Sequence, residues 1–203
     1  MKIICIGRNY AEHAKEMNAP MPVVPVFFMK PDTAILKSGN AFYYPDFTED
    51  LHYECELVVR IDKAGKHISP EFAHKYYNSV SLGIDFTARD LQQKCKEQGL
   101  PWEIAKSFEH SAPLSDIWID KNLIDWENCF FELKKNDTIV QTGQTKDMIF
   151  SIDQIIAYIS RFMTLKTGDL IFTGTPSGVG PVKIGDRLTG YLNQSEMFTF
   201  DIK

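Results

Sequence analysis

Glu54 and Glu56 stand two residues apart in LHYECELVVRI (51–61), a run otherwise rich in residues that favour extended backbone. Alternate side chains on a strand project to the same side, with Cα atoms roughly 6.5–7 Å apart at a rise of ~3.3 Å per residue. Two carboxylates so placed repel each other unless a cation lies between them. All-oxygen ligation selects hard ions, Mg²⁺ ahead of Mn²⁺ or Ca²⁺. The polar face of a half-exposed strand accounts for the same spacing, and His52 adds polarity to that face without deciding between the two. Asp85 closes the apolar run SLGID, where a buried and unpaired charge is costly. It reads either as a third oxygen ligand or as the cap of a helix starting at Thr87–Ala88.

Other residues offer a cation or a carboxylate something to do. His13 and Glu16 in AEHAKEMN are neighbours on a helical turn, and a carboxylate beside an imidazole orients it and raises its basicity. An ordinary ion pair on a solvated turn has the same spacing. Lys106 in WEIAKSF lies among apolar residues, as a desolvated ammonium near an anion or as a side chain reaching for water. Arg89 and Gln92 in TARDLQ share a helix face, and arginine suits a substrate carboxylate. The glycines of GTPSGVGP (174–181) match neither a P-loop nor a dinucleotide fingerprint. A tight loop whose N–H groups meet an anion or a carbonyl is the remaining use.

The elements that must position these residues are strand-rich. KIICI (2–6) reads as a first strand, followed by helix formers from Ala11 to Met17 and a proline-broken loop, PMPVVP. Lys63-Ala64-Gly65 signals a hairpin turn. PEFAHKYYNS (70–79) reads as a helix leading into the strand SVSLGIDF, and TARDLQQKCKE (87–97) as another helix. FFELKK and TIVQT flank Asn136-Asp137 as two strands. SIDQIIAYISRFM (151–163) is the clearest helix: Ser151 and Gln154 have capping-box spacing, and Ile152, Ile155, Ile156, Ile159 and Phe162 form an apolar face. LKTGDLIFTG and VKIGDRLTGY share K-x-G-D, each a turn feeding a strand. No regular βαβ alternation appears, so the fold class is α+β, mainly β.

Composition removes several classes of function. The 203 residues carry 22 Lys and Arg against 27 Asp and Glu, a formal charge of −5, with no basic run to attract nucleic acid. No segment approaches the ~18 apolar residues of a membrane span. Cys5, Cys55, Cys95 and Cys129 lie far apart, without metal-site spacing, and read as free thiols in a reducing compartment, the cytoplasm.

GRNYAEHAKEM, FFMKP, LHYECEL, GIDFTARDLQ, GLPWEIAKSFEHSAPLS, DMIFSIDQIIAYIS and GDLIFTGTPSGVGPVKIGDRL follow one another along essentially the whole chain. In this order they resemble the fumarylacetoacetate hydrolase family, most of all its short branch of acylpyruvate hydrolases and oxaloacetate decarboxylases. The resemblance implies one catalytic domain over 1–203, with a mixed β-roll or β-sandwich core, peripheral helices and a short lid at about 9–19, in a homodimer. It implies Mg²⁺ or Mn²⁺ on Glu54, Glu56 and Asp85, with Ca²⁺ able to substitute. His13 and Glu16 become a water-activating dyad, and Lys106 the group beside a developing oxyanion. Arg89, Gln92 and Thr175 become substrate contacts.

The implied reaction is hydrolysis of a C–C bond in a 2,4-dioxo acid by way of a pyruvate enolate, with oxaloacetate decarboxylation related to it. Isomerisation of a hydroxy-dienedioate, or tautomerisation of an oxo acid, is the rival, expected to depend little on a water-activating dyad. A metal-binding interaction protein without catalysis is the alternative of another class.

Overall fold

The computed structural model describes residues 1–18 and 20–203; Ala19, in the expected lid segment, lies outside the described residues. Ile3–Ile6 is buried at all four positions and runs second from one edge of the largest sheet. Strand order there is Phe27–Lys30, Ile3–Ile6, Leu170–Phe172, Cys55–Ile61, Tyr77–Ile84, Ala112–Leu114, Ile35–Lys37, with Ile119–Asp120 also paired to Tyr77–Ile84. A second sheet orders Thr138–Gln144, Phe130–Lys135, Arg187–Leu192 and Ser195–Asp201. A third joins Gly180–Pro181, Leu51–Tyr53 and Thr87–Ala88. The main apolar core fills the space between them, with Phe42, Phe86, Phe131, Leu57 and Leu82 fully buried. Short helices lie outside, so the fold is α+β and mainly β, as expected.

One structural feature places the site. LHYECELVVRI is not a single strand: it breaks at Glu54 into Leu51–Tyr53 and Cys55–Ile61. Its partner breaks alike, into Tyr77–Ile84 and Thr87–Ala88. The antiparallel register is nevertheless continuous from His52–Thr87 to Cys55–Ile84, which sets Glu54 opposite Asp85. The Asp85 N–H donates to the Glu54 carbonyl at 2.8 Å. At this corner both strands leave the large sheet for the small one.

Several local expectations hold. The hairpin at Asn136-Asp137 has φ of 50° and 66°, the left-handed pair that a tight two-residue turn requires. Ser151 and Gln154 form both halves of a capping box. Each K-x-G-D turn closes alike, Lys166 N–H on Asp169 Oδ2 and Lys183 N–H on Asp186 Oδ2. All four cysteines are buried and free. No helix among the described residues is long and apolar enough to cross a membrane.

Other expectations need correction. Lys63-Ala64-Gly65 closes no tight hairpin; Gly65 bridges Leu165, and the link between the two long strands carries a helix. That helix spans only Pro70–Ala73, because Tyr77 already belongs to the next strand. Thr87–Ala88 is strand, so the following helix is Arg89–Gln98. The helix from Ile152 ends at Ser160, whose hydroxyl donates to Ala157 O and accepts the Ile68 N–H, which leaves Phe162 56% exposed.

Candidate active site

Because residues directly opposite on antiparallel strands point to the same side, Glu54, Glu56 and Asp85 converge. All three are buried, and one oxygen from each lies within 4.8 Å of the others. Opposite Glu56 is Gly83, where any Cβ would stand 2.8 Å from the Phe172 ring and 2.9 Å from Pro113 O. Nothing larger than hydrogen can share that place. His52 turns away to Asp50 Oδ1 at 2.8 Å, because the corner at Glu54 separates the two halves of the expected face.

Three cations surround the carboxylates. Lys106 Nζ lies 2.8 Å from both Glu54 Oε2 and Asp85 Oδ2. Arg89 donates to Glu54 Oε1 at 2.6 Å and to Gln92 Oε1 at 2.8 Å. Lys30 Nζ sits 2.8 Å from Asp85 Oδ1. Its N–H groups point instead to the carbonyls of Phe86, Lys106 and Ser111 and to Ser111 Oγ, so Asp85 Oδ1 has no aligned donor. Asp85 does not cap a helix; it is held by two buried ammonium groups.

The two glutamates titrate in opposite directions. Burial favours protonation of Glu54, but Lys106, Arg89 and His13 outweigh it and hold the carboxyl well below the usual range. Glu56 has no such cation at contact. Burial, then the charges of Asp85 and Glu54, push it well above the usual range. Lys106 loses by burial and gains more from Asp85 and Glu54, so its ammonium is held above its ordinary value.

A hard divalent ion fits this donor set. An octahedral ion with oxygens at about 2.1 Å sets its ligand atoms roughly 3–4.2 Å apart, a small adjustment from the present spacing. Asp85 Oδ1 supplies an acceptor without an aligned donor, and the ion would offset the burial and the carboxylate repulsion that raise the pKa of Glu56.

The helix Ala11–Glu16 brings His13 to the same place. Its ring is buried, with Nδ1 3.2 Å from Glu16 Oε2. Asn9 fixes the approach of this helix. It donates to Phe150 O and Thr173 O at 3.0 and 2.8 Å and accepts the Phe150 N–H at 2.7 Å. Tyr10 then bridges to Met148.

The glycine-rich loop does meet anions, and they belong to the protein. Gly174 N–H donates to Glu56 Oε2 at 2.8 Å, and Gly178 N–H donates to Glu16 Oε1 at 3.0 Å. Between them Thr175 is buried, its hydroxyl donating to Cys55 O and accepting from Gln141 Nε2, each at 2.8 Å. That hydroxyl is directed at the protein rather than at the cleft.

His13, Glu54, Arg89, Gln92 and Lys106 line one cleft, together with Arg8, Phe28, Lys96 and Trp102. Lys30, Asn9 and Gln141 are components that the sequence reading passed over. Lys30 carried the one usable signal, a lysine closing the apolar run VFF-M as Lys106 closes EIA.

A strand-switching β core with a buried carboxylate trio under a histidine–glutamate dyad defines an enzyme class, and sequence comparison agrees on which. Residues 2–202 match the family described as Fumarylacetoacetate (FAA) hydrolase C-terminal, and the chain belongs to the fumarylacetoacetate hydrolase family of enzymes. Over 186 residues it is 46% identical to the mitochondrial oxaloacetate tautomerase FAHD1 of Bos taurus, covering 92% of this chain and 84% of that one. The solved fumarylpyruvate hydrolase of Pseudomonas aeruginosa, in complex with Mn²⁺ and pyruvate, superposes with a TM-score of 0.92 at 36% identity, covering 100% of this chain and 89% of that one. The 2-hydroxyhepta-2,4-diene-1,7-dioate isomerase of Mycobacterium marinum gives a TM-score of 0.85 at 31% identity, covering 99% and 73%.

Proposed function

We propose that this enzyme moves a proton between the keto and enol forms of a small 2-oxo acid, with oxaloacetate the first candidate. The observation that carries this reading is His13, paired with Glu16 and lining the same cleft as Glu54, Arg89 and Lys106. A 46% identical relative that is an oxaloacetate tautomerase supports oxaloacetate as the substrate. Glu54, Glu56 and Asp85 hold a divalent cation, Mg²⁺ or Mn²⁺, which when bound supplies Lewis acidity towards a 2-oxo carbonyl. His13 uses Nε2 to take a proton from C3, and the imidazolium so formed gives it to the C2 oxygen; the reverse direction runs the same two transfers backwards. Glu16, held by Gly178, keeps Nδ1 protonated and stabilises the imidazolium. The Lys106 ammonium lies beside the oxygen that gains charge. Arg89 and Gln92 orient the carboxylate next to the carbonyl. Thr175 acts one step back, fixing the loop whose N–H groups hold Glu56 and Glu16.

Hydrolysis of an acylpyruvate is the second reading. The same His13 draws a proton from water, water adds to the distal carbonyl, and the C–C bond breaks to give pyruvate and a carboxylic acid. The Mn²⁺ and pyruvate in the fumarylpyruvate hydrolase favour it. A buried imidazole between Glu16 and the cleft serves either proton, so dependence on His13 does not separate the readings; the product does. Decay of the enol ultraviolet absorbance of oxaloacetate, with Mg²⁺ and with EDTA, tests the first. Pyruvate release from acetylpyruvate and fumarylpyruvate tests the second. Ketonisation no faster with enzyme than without overturns the tautomerase reading.

The homodimer and the cytoplasmic location belong to this proposal too. Met21, Val23, Val24 and Val26 expose apolar side chains along one short stretch, which supports self-association. Light scattering on the eluted protein measures it directly. Four free thiols support a reducing compartment.

A further inference from the structure

The cleft holds more positive charge than its own carboxylates occupy. Lys106 lies on Glu54 and Asp85, and Arg89 on Glu54. Arg8 and Lys96 line the same cleft, yet among the described residues neither has a carboxylate within ion-pair distance. Arg8 is half-buried and its one side-chain bond, Nη1 to Pro20 O, is stretched to 3.5 Å. Lys96 is exposed at the rim with its ammonium 5.6 Å above the Trp102 ring. Burial, then Arg89 and Arg8, lower the pKa of Lys96, against a smaller opposing pull from Glu54. Like charges gathered at the mouth of a cleft destabilise the empty protein and are relieved by an anionic ligand.

We propose that Arg8 and Lys96 form a subsite for a second carboxylate, at the far end of the 2-oxo acid. The inference rests on the function proposed above and narrows it to 2-oxo dicarboxylates. Arg8 supplies a planar fork for a carboxylate, and Lys96 a mobile charge at the rim. The two residues come from different elements: Arg8 follows the first strand, and Lys96 lies in the last turn of the helix Arg89–Gln98. Arg89 opens that helix, so one helix carries the group for the reacting end of the substrate and a group for its far end.

The test compares two acids that differ only at the far end. 2-Oxoglutarate ends in a carboxylate, and 2-oxopentanoate in a methyl group at the same position. Calorimetric affinities of the Mg²⁺-loaded protein for both are measured in the wild type, Arg8→Gln, Lys96→Gln and the double variant. The wild type should prefer 2-oxoglutarate by about tenfold or more, and the double variant by about one. Arg8→Lys should restore part of the preference. Raised salt should erode it, since the charges sit at an open mouth. A wild-type preference that persists in the double variant, or a loss shared equally by both acids, overturns the subsite. Because this arm reads binding, it decides the subsite even if oxaloacetate ketonisation fails. Turnover separates the two proposals further: the double variant should raise KM for oxaloacetate about tenfold and change kcat much less. A fall in kcat with KM unmoved counts against a binding role.

Discussion

Gly178 donates its backbone N–H to Glu16, 3.0 Å from Oε1, and only glycine can do so from that position. Its φ is +95°, and a Cβ there would stand 2.3 Å from the Val140 carbonyl oxygen. The loop that looked like a phosphate cradle is therefore an internal one. Through Gly178 it orients the carboxylate that orients His13, and through Gly174 it orients Glu56. Both contacts come from one turn, so the dyad and the carboxylate trio are set by the same piece of backbone.

Gly178→Ala should accordingly damage catalysis beyond its effect on folding. Backbone strain of this kind costs about 1–3 kcal/mol, visible as a lowered Tm. At temperatures where the variant stays folded, kcat should fall about 10–100-fold. The loss should overlap with that of Glu16→Gln, so the double variant is little worse than the worse single one. Losses that multiply would show that Gly178 acts on something other than Glu16.

Glu56 predicts a pH dependence with a definite sign. Its folded carboxyl titrates above the usual range, driven by burial and then by the charges of Asp85 and Glu54. Its contribution to stability is therefore full below the ordinary glutamate pKa and is lost as pH rises through the folded value. With EDTA, the wild type should lose stability relative to Glu56→Gln as pH rises above about 5, by up to ~1.4 kcal/mol per pH unit. Mg²⁺ should cancel this loss in the wild type, because the ion takes the place of the proton. Melting curves across pH, with and without EDTA, measure both; parallel curves for the two proteins would refute the assignment.

The glutamate pair was legible because strand alternation is a local rule, and the capping box at Ser151 for the same reason. Asp85 was visible as a costly charge at the end of an apolar run and, in one of two readings, as a third oxygen ligand beside the glutamates, but the register that sets it opposite Glu54 was not. That register is carried across a long connection containing a helix, with an irregularity at Arg60–Ile61. Nor could the sequence show that both strands change sheets at this pair, since the break comes from long-range packing. Gln141, which takes the Cys55 N–H at the corner with its Oε1, sits 86 residues away in another sheet. Phe162 failed for the opposite reason. Helical periodicity continued through it, but the helix ends at Ser160, whose hydroxyl donates to Ala157 O and accepts the Ile68 N–H.

Lys30→Met should be among the most destabilising single changes in the cluster. It removes the ammonium beside Asp85 Oδ1 and takes donors from the carbonyls of Phe86, Lys106 and Ser111. Breaking a buried ion pair from one side typically costs about 3–5 kcal/mol. Mg²⁺ should recover part of this by supplying another cation to Asp85, whereas in Lys30→Arg the charge is retained and only its fit changes. Denaturant unfolding with and without Mg²⁺ provides the comparison. A loss that Mg²⁺ does not touch would mean that Lys30 stabilises the loop carbonyls alone.

Asn9 gives the sharpest test of how the dyad helix is held. Its amide joins three backbone groups on two other segments, with Phe150 bonded at both ends and Thr173 at one. Asn9→Ala leaves these groups without partners and should cost roughly 2–4 kcal/mol. Asn9→Asp has nearly the same shape but turns a carboxylate oxygen towards the carbonyls of Phe150 and Thr173. If the hydrogen bonds rather than packing hold the helix, the aspartate variant should be at least as unstable as the alanine one. Both should exchange the Phe150 amide and the amides of residues 11–16 faster than the wild type, and lose kcat in proportion. If Asn9→Asp is indistinguishable from the wild type in exchange and in turnover, the side-chain bonds are not what positions His13.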